Sequence, residues 1–331
     1  MRIALLLVSA LALVAQPRAL DIYWVDVEGG AATLIATPNG QSMLIDTGFP
    51  GGDDRDAKRI FAAAQAAGLK KIDILVTTHY HADHIGGLAA LSKLIPIEKI
   101  LDHGDSVEPG GAFDTYRSAA GSRREKVKAG DKILLRGLDI TVVSAAGEVI
   151  DKPLAGTTAN ALCKDAQTKD TDKTENSQSV GFLLTYGKFK FLDVGDLTWD
   201  REMSLACPVN KIGEVTLFQA THHGFSNGQS GNPALISALR PQVVIVNNGA
   251  RKGFSNGGYD TIAKIPAIEG IWQGHRSDAN DAAHNTTEEM IANPEPGAAD
   301  AGHWIKASIS ADGKYTVTNS RNGYSKTYTS R

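Results

Sequence analysis

Apolar side chains recur along this chain with two different spacings. In "DIYWVDV" (21–27), "AATLIAT" (31–37) and "SMLIDTG" (42–48) they form short runs separated by the turns "EGG" and "PNG", which predicts three strands. "DDRDAKRIFAAAQAAGL" (53–69) switches to helical spacing with an Ala-rich face and stops at Gly68, placed as a C-cap. "IDILVTT" (72–78) reads as a short buried strand, "GGLAALSKLI" as a helix, and "IEKILDHG" as a strand with His103 at its tip. "DKILLRGLDITVVSAA" (131–146) predicts two more strands. From about residue 147 to 175 the pattern lapses into Lys, Asp and Thr, a long surface insertion. It resumes with the hairpin "SVGFLLTYGKFKFLDVGD", the helix "LTWDREMSLA", the strand "EVTLFQATHHG", the helix "NPALISAL" and the strand "QVVIVNNG". A last hairpin, "HWIKASISADGKYTVTNS", turns at "ADG". Strands alternating with helices define an α/β protein.

Composition narrows this only slightly. The 331 residues are 42% hydrophobic, enough for a sizeable core in one large domain or two small ones. A formal net charge of −3 does not favour nucleic acid as a partner. The N-terminus matters more. Arg2 followed by the apolar run Ile3–Ala15, then small residues and Pro17, has the form of a secretory signal peptide over residues 1–19. An N-terminal anchor is the competing reading, and no later segment is apolar enough to span a bilayer. The expectation is a periplasmic or secreted protein, with residues 20–331 as one domain. In that setting the two cysteines, Cys163 and Cys207, are expected to form a disulfide.

The candidate chemistry lies in "TTHYHADHIGG" (77–87), which holds three of the nine histidines. Imidazole is a poor core filler and a common ligand for divalent metals. His79 and His81 are two apart at a strand end, so both can point the same way. Asp83 and His84 fall in the first turn of the next helix, where Gly86 and Gly87 let that helix approach the sheet closely. One short segment therefore offers two ligands to each of two neighbouring metal positions.

"HYHADHIGG" resembles the signature of the metallo-β-lactamase superfamily, whose members share a four-layer αββα sandwich and usually a di-metal site. The resemblance extends over most of the chain after the N-terminal run. It implies that Asp46 in "LIDTG" is a buried aspartate supporting the site. It implies too that Asp196 in "FLDVGD" bridges both metals, and that "THHGFSN" supplies the last histidine ligand. "DVEGGAATLI", "ENSQSVGFLL" and "HHG" look most like the periplasmic domain of the ComEC competence proteins and its free-standing relatives, which are known or suspected nucleases and phosphoesterases. Physical sense accompanies each residue: a carboxylate between two dications offsets their repulsion, and a buried aspartate needs hydrogen bonds, here from a ligand imidazole. Adjacent residues on a strand face opposite ways, so His223 is expected to bind metal and His222 to face substrate.

Two departures stand out. The further histidine common between the opening motif and the bridging aspartate is absent. "ENSQS" stands there instead, offering Asn176 and Ser177 for a substrate or bound water, while His103, the one histidine in the interval, could reach the site from its strand tip. The later Tyr-Gly-His-Pro stretch of the ComEC-like proteins is replaced by "VNNGARKGFSNGGYD", with Asn247, Asn248, Arg251 and Lys252 as polar groups for a phosphate or carboxylate. His275, His284 and His303 receive no functional role. The expected function is a secreted di-metal hydrolase, with two ions, zinc in the simplest case and Mn or Fe as alternatives. They would turn a shared water into metal-bound hydroxide. Asp83 would orient that hydroxide and His222 would serve the leaving group. A phosphoester or other small molecule is the expected substrate. The competing readings are a β-lactam or lactone hydrolase, and a secreted metal- or ligand-binding protein without catalysis.

Overall fold

The computed structural model describes residues 19–154, 156–295 and 301–331; apart from Ala19, the expected signal peptide lies outside them. The first half supplies β1 (Leu20–Trp24), β2 (Thr33–Ala36), β3 (Ser42–Ile45), β4 (Ile72–Val76), β5 (Ile97–Asp102) and β6 (Arg124–Lys126). The helices α1 (Arg55–Ala66), α2 (Ala82–Ile85), α3 (Leu88–Leu94) and α4 (Gly111–Ala120) lie between them in sequence. There follow β7 (Lys132–Ile133), β8 (Asp139–Ala145), β9 (Glu148–Val149), β10 (Gly181–Tyr186), β11 (Phe189–Asp193), β12 (Leu217–Gln219), β13 (Val243–Val246), β14 (Gly270–His275) and β15 (Ile291–Asn293). With them come α5 (Trp199–Ala206), the single turn α6 (Thr221–Phe225), α7 (Pro233–Leu239) and α8 (Asn256–Ala263). The chain closes with β16 (Ile305–Ile309), β17 (Lys314–Asn319) and β18 (Ser325–Thr329).

Two nine-stranded sheets result, one ordered β18-β17-β16-β1-β2-β3-β4-β5-β6 and the other β15-β14-β13-β12-β11-β10-β8-β7 with β9 paired to β8. Strand alternation builds the layers. In β13, Val243 and Ile245 enter the core between the sheets, while Val244 and Val246 face the helices outside the second sheet. Met43 and Ile45 of β3 likewise point inward, and Leu44 packs under Ile60 of α1 and Leu91 of α3. The α1 face Ala57, Ile60, Ala63 and Ala64 is buried at helical spacing. Leu205, Leu235, Leu239 and Ile262 cover the second sheet from α5, α7 and α8. This is the expected αββα sandwich, and no described helix is long and apolar enough to cross a membrane.

Strands β3 to β6 run parallel, as do β11 to β15, so the loops after β3, β4, β11 and β12 gather at carboxyl ends of both sheets. Crevices at such ends are where open α/β sheets bind ligands. The Cys163–Cys207 disulfide is formed, with Cα atoms 5.6 Å apart, and ties the polar insertion to the end of α5. Several details differ from the sequence-based expectation. The strand through "THHG" ends at Gln219, α4, α8, β14 and β15 were not anticipated, and the last hairpin gains β18 and extends the first sheet through β1.

Candidate metal centre

The site begins where β3 stops. Asp46 adopts a left-handed backbone (φ 59) and is 1% exposed, so its carboxylate is committed inside the protein. Its Oδ1 accepts from the Thr78 N–H at 2.8 Å, and its Oδ2 accepts from Thr78 Oγ1 at 2.7 Å. The same Oδ2 lies 2.7 Å from His84 Nδ1, which fixes the ring of that histidine as the resemblance implied. Thr78 Oγ1 also backs His79 Nδ1 at 3.0 Å. Past β4 the chain runs through His79 to His81, which is extended, and α2 then turns Asp83 and His84 into the same space. Gly86 and Gly87 act on the loop after β3 rather than on the sheet. A Cβ at Gly87 would fall 2.1 Å from the Thr47 carbonyl oxygen, and one at Gly86 2.2 Å from Pro50.

The second sheet brings the rest. After β11, Gly195 takes φ 55 with its Cα face against Thr78, where a Cβ would lie 2.8 Å from that threonine's own. This contact sets the two sheets' loops together and delivers Asp196. Beyond β12, His222 (φ 52, ψ 51) and His223 (φ 57, ψ 26) are both left-handed, and Gly224 continues at φ 100. The His222 N–H donates to the Gly195 carbonyl at 3.0 Å. Strand alternation therefore does not apply at this pair. A left-handed turn sends both rings to the same carboxylate, which replaces the expectation that His222 faces away toward substrate.

Asp196 Oδ2 is the common point. It lies 3.3 Å from His84 Nε2, 3.3 Å from His222 Nε2, 3.4 Å from His223 Nε2 and 3.9 Å from His79 Nε2. Asp83 Oδ2 is 3.3 Å from both His84 Nε2 and His223 Nε2. Ligands about 2.0–2.1 Å from a tetrahedral zinc ion stand about 3.3–3.4 Å from one another. The four shared edges among Asp83, His84, Asp196 and His223 have that length, and the ligand atoms all lie within 4.8 Å of one another. His84 Nε2 and His223 Nε2 are buried without a hydrogen-bond partner despite these neighbouring oxygens. Imidazole nitrogens held this way suit a cation between them better than a proton. On the other side, His79 Nε2 and His81 Nδ1 approach to 3.1 Å, with His222 Nε2 facing the same Asp196 oxygen.

The electrostatics agree. Burial favours neutral His84, but the carboxylates of Asp196, Asp83 and Asp46 outweigh it and raise its pKa well above the ordinary value. Burial opposes ionised Asp196, yet His223, His222 and His84 hold it well below the usual carboxylate range. Asp83 is depressed against its own burial, by His84 first among its partners. Burial, reinforced by the charge of His84, keeps His79 well below the ordinary histidine pKa and thus neutral, whereas His84 must give up its proton in order to ligate.

The other expected site residues divide. Asn176 is nearly buried and its Oδ1 has no hydrogen-bond partner. Ser177 donates to the Thr174 carbonyl at 2.7 Å within its own turn. His103 is 2% exposed and bonds Glu175 Oε2 at 3.0 Å, so it belongs to a buried network and not to a substrate surface. Asn248 is 1% exposed and its amide donates to the Gly249 and His275 carbonyls, which removes it from substrate contact. Sequence reasoning missed Glu108, whose Oε2 lies 3.3 Å from His81 Nε2 and steadies that ring, and Thr78, which backs two histidines. A threonine directly before the first histidine was a visible signal; Glu108, in a polar loop, left none.

An αββα sandwich thus carries a histidine-aspartate cluster, fit to hold a metal ion, at the carboxyl ends of its strands. Residues 25–161 match the Metallo-beta-lactamase superfamily. It is 24% identical over 244 residues, 69% of its length, to ComE operon protein 3 of Bacillus subtilis (strain 168), of which the match covers 28%. It is 31% identical over 99 residues to a hydroxyacylglutathione hydrolase of Rhodopseudomonas palustris (strain BisB5), 30% of this chain and 34% of that one. The chain thus spans about a third or less of the length of these curated relatives. The metallo-beta-lactamase fold protein YhfI from Bacillus subtilis superposes with a TM-score of 0.48 at 12% identity, over 77% of this chain and 95% of that one.

Proposed function

We propose that the protein is an exported hydrolase that works with a pair of divalent metal ions, zinc in the simplest case, on a phosphoester. The observation that carries this reading is the position of Asp196 Oδ2, within 3.3 to 3.9 Å of the Nε2 atoms of four histidines. A carboxylate oxygen there can touch two cations and offset their repulsion. Asp196 with His79, His81 and His222 would hold one ion, and Asp196 with Asp83, His84 and His223 the other. When bound, such a pair supplies Lewis acidity toward the ester oxygen and a nucleophile at neutral pH.

The chain's own residues do the rest. Asp46 fixes which nitrogen of His84 faces the centre, Thr78 does so for His79, and Glu108 steadies His81. Asp83 accepts a hydrogen bond from the attacking water and orients it. The ComEC-like motifs and a cation at the cleft, Lys252, support a phosphoester over a neutral ester. Export is supported by the apolar run Ile3–Ala15 and by the Cys163–Cys207 bridge, a feature of oxidising compartments.

The test is a panel of bis(4-nitrophenyl) phosphate, single-stranded DNA, a chromogenic β-lactam and a lactone on zinc-loaded protein. Turnover of the diester, lost with a chelator and in Asp196→Asn, is the expected result. Turnover of the lactam or lactone alone would move the substrate assignment, and no metal-dependent turnover of any member would make this a binding protein.

A further inference from the structure

The turn Gly249–Gly253 brings a cation to the metal centre. Lys252 Nζ bonds Asp83 Oδ2 and lies 5.2 Å from the centre of the Phe49 ring. The turn itself is clamped. Gly249 N–H donates to the Lys252 carbonyl at 3.0 Å. A Cβ at Gly29 would stand 2.6 Å from Gly249 N and 3.1 Å from Lys252 Cβ, and one at Gly253 (φ +96) 2.2 Å from the His223 carbonyl oxygen. The backbone under Lys252 is therefore fixed against the loops carrying Glu28 and His223. Only its four-carbon stem is free to swing, and the side chain is 36% exposed. Its neighbour Arg251 is 87% exposed and pairs outward with Asp278 at 3.6 Å.

The oxygen that Lys252 holds is the one 3.3 Å from His84 Nε2 and from His223 Nε2. An ammonium and a divalent ion on one carboxylate oxygen, nine-tenths removed from water, repel at contact distance. A metal ion that takes Asp83 must push the ammonium out, and its flexible stem, beside the Phe49 ring, lets it swing away. A cation freed there, beside the scissile group, meets whatever charge the substrate carries. A monoanionic phosphodiester presents one non-bridging oxygen charge for a single ammonium, and a neutral ester presents none.

We propose that Lys252 is the anion receptor of the cleft: it neutralises Asp83 until a metal ion claims that carboxylate, and the displaced ammonium then binds the charged non-bridging oxygen of a phosphodiester. The substrate half rests on the hydrolase reading above; the competition with metal does not. Two calorimetric titrations decide it, and neither needs turnover. In metal-free protein titrated with zinc, Lys252→Gln should tighten one of the two equivalents about tenfold and leave the other as it is, while Lys252→Arg should bind like the parent. In zinc-loaded protein, affinity for dimethyl phosphate should fall about tenfold in Lys252→Gln and be kept in Lys252→Arg. Two zinc affinities both unchanged in Lys252→Gln overturn the competition, and an unchanged dimethyl phosphate affinity overturns the receptor. Failure of the hydrolase reading shows separately, as an ester panel without turnover.

Discussion

Asp46→Asn tests the centre at its hinge. The parent carboxylate accepts three hydrogen bonds, from the Thr78 N–H at 2.8 Å, from Thr78 Oγ1 at 2.7 Å and from His84 Nδ1 at 2.7 Å. The backbone amide can only donate, so the carbonyl oxygen of the asparagine must take its side and the NH2 must face His84 Nδ1. His84 Nδ1 is then forced to accept, and the ring proton moves to Nε2, the atom that faces Asp83 and Asp196. A protonated nitrogen cannot ligate. Loss of such an orienting partner weakens a metal about 10–100-fold, or about 1.4–2.7 kcal/mol. The fold should survive, because asparagine tolerates the left-handed backbone at this position (φ 59) and keeps the Thr78 bond. Zinc affinity measured against a chromophoric chelator, alongside a thermal melt, reads both quantities. A variant that binds two zinc ions as tightly as the parent would refute the role given to Asp46. Asp46→Ala, which strands three donors at once, should instead lower the melting temperature.

Two more expectations concern stability. Glu202 is fully buried, and burial raises its pKa to about 7 although it accepts from the Gly231 and Asn232 N–H groups. The folded state therefore holds a proton that the unfolded chain releases from about pH 4.5 upward, and stability falls between there and about pH 7 by about 3 kcal/mol. Glu202→Gln should flatten that slope in denaturant titrations at pH 5 and pH 8, and an unaltered slope would place the effect elsewhere. The Cys163–Cys207 bridge closes a separation of 44 residues, which on a chain-entropy basis is about 4 kcal/mol. Replacing both cysteines by serine should lower the denaturation midpoint accordingly while leaving zinc binding intact. A shift in zinc binding would tie the insertion to the site.

The amino-acid sequence by itself determined the α/β class, the strand-to-helix junction at His79–His84, and the chemical type of each main site residue. These are local properties: a period of two or 3.6, a turn glycine, or a cluster of ligating side chains within six positions needs no knowledge of distant contacts. It also marked Asp46, Asp196 and the double histidine as belonging to one centre, through resemblance of motifs. What only the tertiary structure decided is how these segments meet. Strand logic separated His222 from His223, but hydrogen bonding to Gly195 and a left-handed turn bring both rings onto Asp196. His103 was expected to reach the site from its strand tip, but Glu175, 72 residues away, holds it in a buried pair. Lys252 and Asp83 are separated by 169 positions, and β16 adds to β1 with Ser308 bonded to Asp21 across 287. Pairings of this kind are set by which faces two nine-stranded sheets bury against each other, and apolar burial, being non-directional, leaves no trace of its partner in either strand alone.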